Sequence, residues 1–289
     1  MKPRLALAAF LLIACGAQQA AAQTYCTSYA SSLAFGSYNP TTADSVTATV
    51  TVTCSSGNVF HIGLNAGTGT GATTTTRIMH SGTNLLNYQL FQDSAHTINW
   101  GNNPPTDTVN GTGDGTAHNF TVYATVPAGQ FVPPASNYVD TITATVTNGS
   151  ASPPQPQIGE TATVLAGCSA SATDLNFGNY LASLVSATST VTVSCTNSTT
   201  YSIGLNAGGG VGGSTTTRKM TSPALATLNY KMFRDSAHTL NWGNSPGTDT
   251  VAGVGNGVAQ QSTVYGQMAA GQSGNPAIYS DTITATVTY

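Results

Sequence analysis

The chain has 289 residues, room for two domains at the usual span of about 100–200 residues each. Only 6% of its residues are charged and the formal net charge is −3, so no basic patch exists to neutralise phosphates, and nucleic acid is excluded as a partner. Solubility must come from Thr, Ser, Asn and Gly, a composition suited to an exported surface protein.

Residues 1–22, MKPRLALAAFLLIACGAQQAAA, combine two basic residues, an apolar run and small residues at the end. They read as a signal peptide cut near Ala22 or Gln23, and the apolar run is shorter than the ~20 residues that span a bilayer. LIAC, ending at Cys15, resembles the lipobox of bacterial lipoproteins, which leaves a lipid anchor on Cys15 as the alternative.

After that leader come Cys26, Cys54, Cys168 and Cys195, paired in sequence at separations of 28 and 27 positions. The repeated spacing predicts one bridge per half in an oxidising compartment, Cys26 to Cys54 and Cys168 to Cys195. A zinc site is disfavoured, since no C-x-x-C occurs and the five histidines keep no zinc-like spacing to the cysteines.

The two halves repeat in order. DSAHTINWGN at Asp93 returns as DSAHTLNWGN at Asp235, TVTVTC ending at Cys54 as TVTVSC ending at Cys195, and IGLNAG at Ile62 as IGLNAG at Ile203. TTTR recurs at Arg77 and Arg218, and DTITATVT at Asp140 and Asp281. In SVTATVTVT, Val46, Ala48, Val50 and Val52 fall on one face and the threonines on the other, the period of a half-buried strand. With LAFG, VFHIGLN, NLLNYQLF, NFTVYATV and DTITATVT, each half offers about six strands separated by Gly-, Asn- and Pro-rich turns, which predicts an all-β sandwich one strand short of seven.

Asp93 with His96, and Asp235 with His238, have the residue types of a general acid/base pair. No nucleophile recurs with them, so a turn or strand-end role is expected. GTGDGT around Asp114 is read as a turn, because its counterpart carries Asn256. Trp100 and Trp242 occupy equivalent places and are expected as core or edge aromatics. Phe131, Val132, Pro133 and Pro134 lie together in a loop whose counterpart is polar, which makes them a candidate adhesive loop; the alternative is that Phe131 and Val132 pack beneath it.

Four features in fixed order carry a family resemblance. They are L-x-F-G-x-Y after the first Cys, a second Cys closing an alternating Val/Thr strand, the LNY run into DSAH, and a closing Y-x-D-T-I strand. Together they resemble the spore coat protein U domain, in two copies; that family also supplies subunits of archaic (Csu-type) chaperone-usher pili. The resemblance implies two tandem incomplete immunoglobulin-like β-sandwiches that are donor-strand complemented, each completed by an extended segment inserted as its last strand. It divides the chain into an adhesin-like domain (23–148), a Pro-rich linker with a candidate donor strand (149–165) and a pilin domain (166–289).

Only Gln23, Thr24 and Tyr25 stand between the expected cut and Cys26, whereas shaft subunits carry their donor strand there. Before Cys168, however, Thr161, Ala162, Thr163, Val164 and Leu165 alternate after a Pro-rich spacer. This segment is the expected donor strand for the first domain, antiparallel beside 140–147. The implied role is a pilus tip subunit in surface attachment or biofilm formation, exported through the periplasm to the cell surface. Its implied partners are a pilin donating an N-terminal strand to the second domain, a periplasmic chaperone, an outer-membrane usher and a surface or receptor, with no enzyme activity, metal or cofactor. The alternative is a structural coat or cell-surface protein with no adhesive role.

Overall fold

Alternation of apolar and hydroxylated residues, with no helical period, sets the local structure. The computed structural model describes residues 25–149 and 153–289, and every helix-or-strand element in them is a β-strand. The expected signal peptide, 1–22, and Cys15 lie outside the described residues.

The first copy contains β1 (Cys26–Ala30), β2 (Leu33–Tyr38), β3 (Asp44–Cys54), β4 (Val59–Leu64), β5 (Arg77–Ser81), β6 (Asn84–Phe91), β7 (Val109–Thr112), β8 (Ala117–Val126) and β9 (Ala135–Thr147). A further strand, β10 (Gln157–Val164), follows the Pro-rich spacer. The ladder runs β1-β3-β8-β6-β5-β9-β10-β2, and β4 joins β7 to the second half of β9. It curls around one core that includes Leu33, Val50, Ile62, Tyr88, Trp100, Val122 and Ile142. Strand β3 shows the cause: Ala48, Val50 and Val52 point inward while Thr47 is exposed. Thr51 is also buried, and its hydroxyl is satisfied by donating to Asn119 Oδ1 at 2.8 Å.

The second copy contains β11 (Cys168–Ala172), β12 (Val185–Cys195), β13 (Thr200–Leu205), β14 (Arg218–Thr221), β15 (Thr227–Phe233), β16 (Val251–Val254), β17 (Gln260–Met268) and β18 (Ala285–Thr288). Two sheets, β11-β12-β17-β15-β14 and β16-β13-β18, face a core built on Val191, Val193, Ile203, Trp242 and Val264. Trp100 and Trp242 are both buried, with indole N–H groups donating to Ile62 O at 2.8 Å and Ile203 O at 2.9 Å. Each tryptophan thereby ties a loop to the opposite sheet.

Strands β1, β5 and β7 were not among the expected six. They have only 5, 5 and 4 residues, too few for alternation to register in sequence, and tertiary pairing decides them. Strand β1 is held at its first residue: Cys26 lies opposite Cys54 in antiparallel register and is bonded to it, and Cys168 is bonded to Cys195 in the same way. Closing loops of 28 and 27 residues removes chain entropy from the unfolded state. Reduction with dithiothreitol is therefore expected to lower the unfolding free energy of each sandwich by about 3–4 kcal/mol, read from urea midpoints. Unchanged midpoints would mean that the bridges leave the unfolded ensemble unrestricted.

Candidate functional site

Strand β10 lies between β9, to which it is antiparallel, and β2, to which it is parallel. Its side chains alternate, with Ile158, Glu160, Ala162 and Val164 buried in the first core and Thr161 exposed. Full burial of an Ile or Val side chain stabilises by about 1.5–3 kcal/mol each, and the row also covers Leu33, Tyr138 and Ile142, all fully buried.

The register differs from the one expected. Thr161, Ala162 and Val164 pair with Val139, Tyr138 and Ala135, while Gln157 through Glu160 face 143 back to 140. The strand starts earlier than expected because the carbonyls of Pro154 and Pro156 already accept from the amides of Val146 and Ala144, so the ladder is set before Thr161. Thr163 pairs with Ser37 of β2 across a register shift. Leu165 lies past the strand, 42% exposed, with its amide donating to Tyr38 O at 3.0 Å.

The second copy has no strand in that place. Its L-x-F-G-x-Y segment, 175–180, is not a strand, and 278–284 has only an isolated bridge between Ser280 and Thr221. Between them lies a cavity of about 430 Å³ lined by Leu175, Phe177, Tyr230, Met232, Tyr279, Asp281 and Ile283, among others. The counterparts of residues fully covered by β10 are here only partly buried: Leu175 for Leu33, Tyr279 for Tyr138 and Ile283 for Ile142.

Four repeated motifs converge at the floor of each groove. Arg77 of TTTR is fully buried and donates to the carbonyls of Asn65, Thr74, Leu64 and Trp100 at 2.8, 2.8, 2.9 and 2.8 Å. Arg218 makes the same four bonds, to Asn206, Thr215, Leu205 and Trp242. Burial lowers both guanidinium pKa values, Arg77 to about 10, so each remains a cation at neutral pH.

Beside it the LNY tyrosine meets the DTI aspartate: Tyr88 donates to Asp140, and Tyr230 to Asp281, each at 2.8 Å. Burial, then the neighbouring Glu160 and Asp140, raises the Tyr88 hydroxyl, and burial followed by the Asp281 hydrogen bond raises Tyr230. The second glycine of each IGLNAG motif packs onto the same carboxylate. Gly67 has φ +84°, and a Cβ there would stand 2.1 Å from Asp140 Oδ2; Gly208 has φ +81° and the same conflict at 2.0 Å from Asp281 Oδ2. Sequence reasoning saw these motifs only as repeat markers. The missed signal was that an Arg and an Asp recur in both copies of a chain with only 6% charged residues.

Glu160 is the one charged side chain on β10, fully buried opposite Asp140, with no hydrogen-bond partner for either carboxyl oxygen among the described residues. Burial and then the Asp140 charge push its pKa up to about 8, against smaller opposing pulls from the Ile142 amide and Arg77. Its surroundings thus favour the protonated, neutral form.

The other candidate residues lie apart from the grooves. Phe131, Val132 and Pro133 are half-buried, and only Pro134 is exposed. Val132 packs on the first core, Pro133 O accepts from Tyr138 Oη at 2.8 Å, and Phe131 O accepts from the Asn197 amide at 3.1 Å. Of the four, Pro134 is the most exposed, and the other three keep part of their surface accessible. Asp93 does not pair with the His96 side chain. Its carboxylate accepts from the amides of Ile98 at 2.7 Å and Thr97 at 3.0 Å, which hold its pKa below the usual range, and Asp235 does the same with Leu240 and Thr239. The rings of His96 and His238 lie instead against Phe91 and Phe233. Asp114 closes a turn, accepting from the Thr116 hydroxyl and amide and from His118.

The raised Glu160 pKa makes stability pH-dependent. The stability supplied by the neutral carboxyl is fully present below about pH 4.5, where the unfolded group also keeps its proton, and is lost as pH rises to about 8. The first sandwich should therefore lose on the order of 1 kcal/mol per pH unit across that window. Urea unfolding of the parent and of Glu160→Gln should diverge with pH. Parallel profiles would mean that Glu160 is ionised in the fold.

The chain matches the family described as Spore Coat Protein U domain over residues 12–145 and 156–286. Among solved structures it is similar to the CsuC–CsuE chaperone–tip adhesion subunit pre-assembly complex of archaic chaperone-usher Csu pili from Acinetobacter baumannii. That likeness has 17% identity and a TM-score of 0.50, and covers 92% of this chain and 100% of the other. The CupB6 tip adhesin from Pseudomonas aeruginosa is more distant, at 10% identity and a TM-score of 0.31, covering 91% of this chain and 94% of that one. No curated protein matches in sequence. The likeness to the first of these structures is one of fold, while the two matched stretches contain both copies of the groove floor: the chain belongs to the spore coat protein U domain family.

Proposed function

We propose that the protein is an adhesin-like tip subunit of an archaic chaperone-usher pilus, acting in surface attachment or biofilm formation. One observation carries this reading: two copies of the same sandwich share a groove floor, and one groove holds the chain's own β10 while the other is a cavity of about 430 Å³. A groove flanked by unpaired backbone and apolar side chains accepts an extended segment as an added strand. The first domain is completed from within, and the second takes the N-terminal strand of a pilin. That arrangement suits the end of a fibre, where a subunit receives a strand while keeping its own.

Before assembly a periplasmic chaperone would cover the second groove, and an outer-membrane usher would pass the subunit to the surface. The Acinetobacter baumannii structure is itself a pre-assembly complex of a tip subunit with a chaperone. The domains are 23–148, completed by the strand within 149–165, and 166–289. No residue is catalytic and no cofactor takes part.

Two outcomes are expected. Hydrogen exchange in the isolated chain should be faster in 175–180 and 278–284 than in 33–38 and 137–143, since β10 protects only the latter pair; equal protection would contradict an open groove. On cells, immunogold label against the first domain should sit at fibre ends, and deletion of the gene should reduce attachment. Label along the shaft would overturn the tip role.

A further inference from the structure

The two groove floors differ at one hydrogen-bond donor. Asp140 accepts from the Thr68 amide, the Thr68 hydroxyl and the Thr141 amide at 2.7 Å each, and from the Tyr88 hydroxyl at 2.8 Å. In the second copy Gly209 stands in place of Thr68. Asp281 keeps the Gly209 amide at 2.7 Å, the Thr282 amide at 2.8 Å and the Tyr230 hydroxyl at 2.8 Å, and the threonine hydroxyl is missing. A carboxylate offers about four acceptor sites. A strand laid across Asp281 would remove water from the fourth, and a donor on that strand could fill it as the Thr68 hydroxyl does in the first copy.

The filled groove shows which side chain occupies that position, where it makes no hydrogen bond to Asp140 because Thr68, Thr141 and Tyr88 already supply four. Glu160, the only glutamate in the sequence, lies opposite Asp140, with Ile158 and Ala162 two residues to either side and buried like it. The floor is already balanced in charge, with Arg77 against Asp140. A second buried anion would be uncompensated, whereas a neutral acid adds no charge. The charged and titratable groups lining the open groove are Asp281, Tyr230, Tyr279 and Asp174, and the charge of Arg218, which does not line it, acts on Tyr230, Asp281 and Asp249. Arg218 already supplies the cation beside Asp281, so a lysine would add a charge without a dedicated partner.

We propose that the open groove selects its incoming strand by a neutral hydrogen-bond donor, a carboxamide or protonated carboxyl, placed opposite Asp281 and flanked two residues away on each side by apolar side chains. This deepens the acceptor reading above and rests on it. The occupant is an extended segment of a separate pilin-like chain, and the side chain facing Asp281 sets both its register and its identity.

The test uses the intact, disulfide-bonded protein and ten-residue peptides. The parent peptide is PQIGETATVL, residues 156–165 of this chain, with variants Glu160→Gln, Glu160→Met and Glu160→Lys. Affinity is read from exchange protection of 175–180 and 278–284, which separates the second groove from the first. The Gln peptide should bind equally at pH 5.5 and 7.5, while the Glu peptide should weaken by roughly tenfold per pH unit, because it must take up a proton to enter. The Met peptide should bind roughly tenfold more weakly than Gln at pH 7.5, and Lys no better than Met. Met equal to Gln, Lys tightest, or a Glu peptide indifferent to pH would overturn the selection while leaving the groove an acceptor. Protection by none of the four would overturn both.

Discussion

Backbone pairing along β9 is the constraint on which the rest of the molecule depends. A strand at a sheet edge presents a row of N–H and C=O groups that must find partners. In the first copy β10 supplies them on one side of β9 and also pairs β2, so a single inserted strand orders the two segments that flank it. In the second copy the same motifs are present without an inserted strand. Only β18 forms at the end of the last segment, and 175–180 is irregular. The comparison is internal to one chain, so composition and covalent framework are nearly held constant.

The polar floor explains why the groove keeps its shape in both copies. Each buried guanidinium satisfies carbonyls from three separate loop or strand regions, and removing it would leave those acceptors stranded in a dry core. Such networks stabilise little in net terms, since desolvation offsets most of the attraction. Their effect is geometric: they hold the IGLNAG turn, the tryptophan and the first residue of β5 or β14 at fixed separation. The groove is therefore preorganised at its base whether or not a strand lies over it, and disorder of the ladder is confined to its two walls.

Much of this was legible in the sequence. Duplication, the all-β class, the cysteine partners and the long strands followed from order, spacing and period-2 patterning, all of which are properties of short stretches. The DSAH repeat could be set aside as a turn because no other reactive group travels with it, and the Asp93 carboxylate is indeed engaged by backbone amides. The short strands β1, β5 and β7 could not be seen, since 4 or 5 residues hold too few alternations to exceed chance. The candidate loop 131–134 illustrates the same limit: apolar composition cannot tell a loop that projects from one whose backbone meets Asn197 and whose Val132 lies on the core.

What the sequence determined by itself was the pattern of faces: which residues point inward along each strand, where the chain turns, and that the unit occurs twice. Local sterics and burial act over a few residues, so a linear reading captures them. Only the tertiary structure decided that Gln157–Val164 pairs from Ala135 to Thr143, that Glu160 comes to lie against Asp140, and that Arg77, Tyr88 and Gly67 meet there. Those contacts join residues far apart along the chain, and the β9–β10 ladder is continued by backbone bonds from Ala144 and Val146 to the carbonyls of Pro156 and Pro154. Two copies that share these motifs could therefore end with one groove filled and the other open, because the deciding strand follows the first copy in the chain and precedes Cys168 of the second.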